Sequence, residues 1–115
     1  MIATSIVLFL VTAIVGIYMA ARIFGGAVPP WIAVILHGVL AASGLLVLLY
    51  SLYIGPQPMP LMIGAGLILV AALGGFFMFS FQLRKQAPPK AVVAVHAIAA
   101  VLGVVCLLGN ALAIV

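Results

Sequence analysis

The sequence predicts an all-α membrane protein: four transmembrane helices in an up-down-up-down bundle, built from two tandem two-helix repeats. Three observations lead there. Of the 115 residues, 70% are hydrophobic and 3% are charged, with no aspartate or glutamate at any position, whereas a soluble domain carries about 25% charged residues. Turn residues divide the chain into four apolar segments, each near the ~20 residues that a helix needs to cross the hydrocarbon core. A shift of 59 residues lays residues 1–53 on residues 60–112 without a gap.

The expected spans are about 2–24, 30–53, 61–83 and 90–114, within a single domain over 1–115. Residues 1–24 lack a basic leading region, and their apolar stretch exceeds the ~7–15 residues of a signal peptide core, so the segment reads as a retained span. The connections are Gly25-Gly26-Ala27-Val28-Pro29, then Gly55-Pro56-Gln57-Pro58-Met59-Pro60, then Arg84 to Pro89. Prolines close each one, where a missing N–H at a helix start costs nothing. Connections this short make consecutive helices antiparallel neighbours.

The net charge of +4 comes from Arg22, Arg84, Lys85 and Lys90. All four flank the first and third connections. Positively charged loops stay inside, which places loops 25–29 and 84–89 in the cytoplasm and both termini outside, in a bacterial inner membrane. The expected surroundings are the lipid bilayer and its anionic lipids. Nucleic acid is not an expected partner, because it needs a clustered basic face. Cys106 has no partner for an intramolecular disulfide and reads as a small buried hydrophobe.

The repeat matches Leu8 with Leu67, Gly16 with Gly75, Met19 with Met78, Pro29-Pro30 with Pro88-Pro89, His37 with His96, Ala41 with Ala100, Gly44 with Gly103 and Leu48 with Leu107. Many Leu and Val matches arise by chance in so apolar a chain; the Pro-Pro, His, Met and Gly matches are harder to dismiss. Two spans per half give the halves a common orientation, related by an axis along the membrane normal. Pro30, Val34, His37, Ala41, Gly44 and Leu48 follow the 4-3 spacing of one face in a left-handed bundle seam, and the second half repeats it. Both histidines therefore point inward.

An ionisable side chain inside a span is costly and marks a functional site by default. His37 and His96 each lie seven residues past a Pro-Pro pair, so about 10 Å from the helix start at 1.5 Å per residue. If the second and fourth helices are diagonal, the two imidazoles oppose each other across the bundle axis. Such a pair suits the two axial positions of a haem iron. Gly16, Gly44, Gly74, Gly75 and Gly103 leave room for a flat macrocycle near that layer or one to two turns away. Arg22, Arg84, Lys85 and Lys90 stand at the end its propionates would face, and arginine matches a carboxylate in bidentate geometry.

These residues give the chain a resemblance to membrane-bound b-type cytochromes, in which paired histidines on transmembrane helices hold haem in a four-helix bundle. The resemblance implies an electron-transfer protein holding haem b through His37 and His96. Many such cytochromes use four histidines for two stacked haems; this chain has two, which implies one haem in one leaflet. Its partner would be a quinol, a larger respiratory or photosynthetic complex, or further copies of the chain. An electron carrier or redox-complex subunit is expected rather than a stand-alone enzyme, and no nucleotide-binding, hydrolytic or zinc-protease motif is present.

Two rival readings remain. Met19 and Met78, matched in the repeat, could join the histidines in a His2Met2 site, whose soft thioethers favour Cu(I). Alternatively the histidines are structural, and the chain is a non-catalytic accessory subunit of a larger membrane assembly. Tyr18, Tyr50, Tyr53 and Trp31 are expected in aromatic belts at the span ends. Thr12, Ser43 and Ser80 should return hydrogen bonds to their own helices. Gln82 and Asn110 are expected at the solvated interface, with a quinone headgroup as the other option.

Overall fold

The computed structural model describes residues 1–112 and contains four helices: α1 (Ile2–Phe24), α2 (Trp31–Ile54), α3 (Met59–Leu83) and α4 (Lys90–Ala111). All four are long and apolar enough to cross a membrane. The molecule measures 42 × 21 × 19 Å, and its long dimension matches a bilayer with its headgroup regions, about 40–45 Å.

Proline sets three of the helix starts. Pro30, Pro58 and Pro89 are the residues before the first helical positions of α2, α3 and α4, each with extended backbone. The expected second span therefore begins one residue later, at Trp31. α3 begins at Met59 rather than 61, because Pro60 falls in its first turn, where the absent N–H has no partner to lose. α4 ends at Ala111; positions 113 and 114 of the expected fourth span lie outside the described residues.

α1 packs chiefly on α2 and α3 chiefly on α4, while α1–α4 and α2–α3 contacts join the two hairpins. α2 and α4 do not approach through their backbones. One stripe of α1 faces inward through Ser5, Phe9, Thr12, Gly16, Met19 and Ile23. The stripe of α3 runs through Gly64, Ile68, Ala71, Gly75, Met78 and Gln82, each 59 residues on. The buried cluster of Ile6, Phe9, Leu48, Leu52, Leu61, Ala65, Ile68 and Leu107 fills the half of the molecule nearer the α2–α3 connection. Between helices in lipid, close packing rather than exclusion of water supplies the attraction.

Glycine makes that packing possible at two points. A Cβ on Gly44 would lie 2.9 Å from the Phe9 ring, and one on Gly103 would lie 2.7 Å from Cγ1 of Ile68. Phe9 and Ile68 are themselves separated by 59 residues. The first and third connections close alike. The N–H groups of Gly26 and Ala27 donate to the Ile23 and Arg22 carbonyls, and those of Lys85 and Gln86 donate to Gln82 and Phe81. Gly26 and Lys85 share a left-handed backbone, with φ of 87° and 57°.

At this end Nε2 of Gln82 donates to the Pro29 carbonyl at 2.9 Å, and Trp31 meets Phe79 edge-on at 5.8 Å. Lys90 Nζ lies 5.9 Å from the Phe24 ring. Both basic connections are thereby held at one end. Gln82 corrects an expectation: it is 5% exposed and ties α3 to the first connection instead of facing solvent. Its amide satisfies the Pro29 carbonyl, which accepts from no backbone N–H. Cys106 is half-buried rather than buried, since α4 presents it at the edge of the contact with Gly64. Thr12, Ser43 and Ser80 do return hydrogen bonds, to Leu8, Val39 and Phe77 carbonyls at 2.7, 2.8 and 2.6 Å.

Candidate functional site

His37 on α2 and His96 on α4 meet across the interior with their ring centroids 6.1 Å apart and their planes at 58°. Each ring is fixed from its own hairpin. Nδ1 of His37 donates to the Thr12 carbonyl on α1 at 3.0 Å, and Nδ1 of His96 donates to the Ala71 carbonyl on α3 at 2.7 Å. A carbonyl only accepts, so the proton of each neutral imidazole is on Nδ1 and Nε2 keeps a lone pair. A backbone carbonyl on the far nitrogen is how proteins orient a metal-ligating histidine and raise its basicity.

Glycine explains how the rings reach those carbonyls. A helical carbonyl is bonded to the N–H four residues on, which for Thr12 is Gly16 and for Ala71 is Gly75. A Cβ on Gly16 would stand 2.9 Å from Cε1 of His37, so a side chain there would push the ring away. Cβ atoms on Gly75 and Gly74 would stand 3.5 Å from Cε1 and 3.6 Å from Cβ of His96, ordinary contact distances.

Along α1 and α3 the inward stripes are buried at Phe9, Thr12 and Ile23, and at Ile68, Ala71 and Gln82. Between those levels Gly16, Met19, Gly75 and Met78 are only half-buried, and so are His37 and His96. The half-buried positions of the two stripes thus fall at the histidine layer and one turn toward the basic end. Met19 and Met78 occupy that extra turn.

The remaining expected residues are placed elsewhere. Gly44 and Gly103 have their space taken by Phe9 and Ile68 and do not border the histidines. Arg22 donates through Nη2 to the Val28 carbonyl at 3.3 Å. Arg84 donates through Nε to the Ser80 carbonyl at 3.2 Å and lies 4.4 Å from the centre of the Phe81 ring. Lys85 is exposed in the third connection. These three belong to the basic end of the molecule, about two turns from the histidines. Sequence reasoning missed Thr12 and Ala71 as partners of the histidines, because a backbone carbonyl carries no residue-type signal; glycine four residues later was the available cue.

A metal ion binds about 2 Å from a histidine nitrogen, and ring centroids 6.1 Å apart are close enough for one ion to reach both imidazoles. Fold and site together define an all-helical protein with four helices long and apolar enough to cross a membrane and one inward-facing pair of orientated imidazoles. No family model, curated protein or solved structure matches the chain.

Proposed function

We propose that this chain is a small electron-transfer protein that holds one haem b, with His37 and His96 as axial ligands. The observation that carries the reading is the pair of imidazoles 6.1 Å apart, each with Nδ1 bonded to a backbone carbonyl. The half-buried layer of Gly16, Gly75, Met19 and Met78 beside them supports it. When bound, the iron supplies a reversible one-electron couple. The chain's residues do the rest: Thr12 and Ala71 orient the ligands, Gly16, Gly74 and Gly75 make room for the imidazoles, and the apolar spans exclude water. Axial ligand, hydrogen bonding to it and burial are the means by which a protein sets such a potential.

The chain is read as an up-down-up-down bundle of two tandem hairpins, each contributing one histidine to the shared site. The support is the recurrence at 59 residues of the His–carbonyl bond, the Gly–Phe9 and Gly–Ile68 contacts and the left-handed connections. With basic loops inside, the haem would lie in the cytoplasmic half of a bacterial inner membrane, where Arg22, Arg84 and Lys85 would hold its propionates. One haem near one face implies a redox partner, a quinol or a larger membrane complex.

Copper is the second reading, because Met19 and Met78 share the half-buried layer. Purification from haem-replete cells decides between them: one extractable haem b per chain, with iron and no copper, is expected. Copper without haem would favour the His2Met2 site, and a colourless, metal-free protein would favour the accessory subunit.

A further inference from the structure

We infer that the basic end of this molecule is a binding surface for anionic phospholipid headgroups. Arg22, Arg84, Lys85 and Lys90 are all exposed and are the only lysines and arginines in the chain. The Gln82–Pro29, Trp31–Phe79 and Lys90–Phe24 contacts gather their helix ends at one face. The molecule is 21 × 19 Å along its two shorter axes, so the four charges share one small face and give it a positive field.

Nothing in the chain neutralises that field. Aspartate and glutamate are absent from all 115 residues, so no side chain can form an ion pair with any of the four. The arginines spend few donors, all on neutral acceptors: Arg22 one on the Val28 carbonyl, Arg84 two on the Ser80 carbonyl and hydroxyl. Most of each guanidinium's N–H groups stay available, in a geometry suited to phosphate. Arg84 also lies over Phe81 and Lys90 beside Phe24, cation–ring contacts that hold the two cations against this end of the helices.

The occupant is the phosphodiester of a bilayer lipid rather than a free phosphate. The cations are surrounded by exposed apolar side chains, Phe24, Trp31, Phe77 and Leu83, which acyl chains cover and a soluble anion does not. The surface shares Arg22, Arg84 and Lys85 with the proposed haem site, whose propionates would face them; Lys90 belongs to the surface alone.

Trp31, the only tryptophan, reports on this end. The experiment places the purified chain in phosphatidylcholine nanodiscs containing brominated phosphatidylglycerol or brominated phosphatidylcholine at equal mole fraction and measures quenching of Trp31. Preferential quenching by phosphatidylglycerol is expected, weakened in 1 M sodium chloride. Lys85→Gln and Lys90→Gln should each reduce the preference by up to about fivefold. Equal quenching by the two lipids overturns the inference, as does a preference that both variants retain in full. Inorganic phosphate that abolishes the preference, where chloride of matched ionic strength does not, overturns the lipid as occupant. The wild-type lipid comparison needs no variant to insert or fold.

Discussion

The ring of His37 rests directly on Gly16, so closely that a Cβ at residue 16 would lie 2.9 Å from Cε1. The matching pair, His96 and Gly75, has 3.5 Å at the same place. Gly16→Ala should therefore displace His37 from the Thr12 carbonyl and cost about 1–3 kcal/mol as an overpacked substitution. Gly75→Ala should stay within about 0.5 kcal/mol of wild type. Denaturant unfolding of both variants in detergent checks this, and equal losses would show that the two histidines are not seated as described.

Gly44→Ala tests the other half of the interior. Its Cβ would meet Phe9, so stability should again fall by about 1–3 kcal/mol. Because Gly44 does not border the histidines, the spectrum of any bound haem should be unchanged in the protein that remains folded. A shifted spectrum would mean that the space between Phe9 and Gly44 belongs to the cofactor.

Gln82→Leu keeps the volume of the side chain and removes the bond to Pro29. An unpaired buried carbonyl costs about 1–3 kcal/mol, and the first connection should become more accessible to protease in mixed micelles. Stability and cleavage equal to wild type would remove Gln82 as the tie between α3 and that connection.

Met19→Leu and Met78→Leu separate the metal readings. If the imidazoles supply both axial ligands, the thioethers pack beside the site and each variant retains haem with an unaltered absorption spectrum. Loss of bound copper in both variants would instead support the His2Met2 arrangement.

Much of this site was legible in residue types. Apolar segments between prolines pointed to the four helices, and the shared offset of His37 with His96 and Gly16 with Gly75 pointed to the residues that meet in one layer. The rest depended on three-dimensional pairing. Gln82 near a span end reads as interfacial, and only the fold brings it to Pro29, 53 residues away in sequence. Gly44 and Gly103 announce a close approach without saying whose; Phe9 and Ile68, not a ligand, make it. Thr12 and Ala71 act through backbone oxygens that every residue possesses. The start of α3 moved because a proline in a first turn is as acceptable as one before it.

The visible absorption spectrum of the purified chain, alongside His37→Ala and His96→Ala, tests the central claim most directly. The account predicts a low-spin haem b spectrum in wild type, and in each single variant a loss of haem or conversion to a high-spin form. A wild type purified from haem-replete cells without a Soret band, or a low-spin spectrum unchanged in either variant, would contradict it.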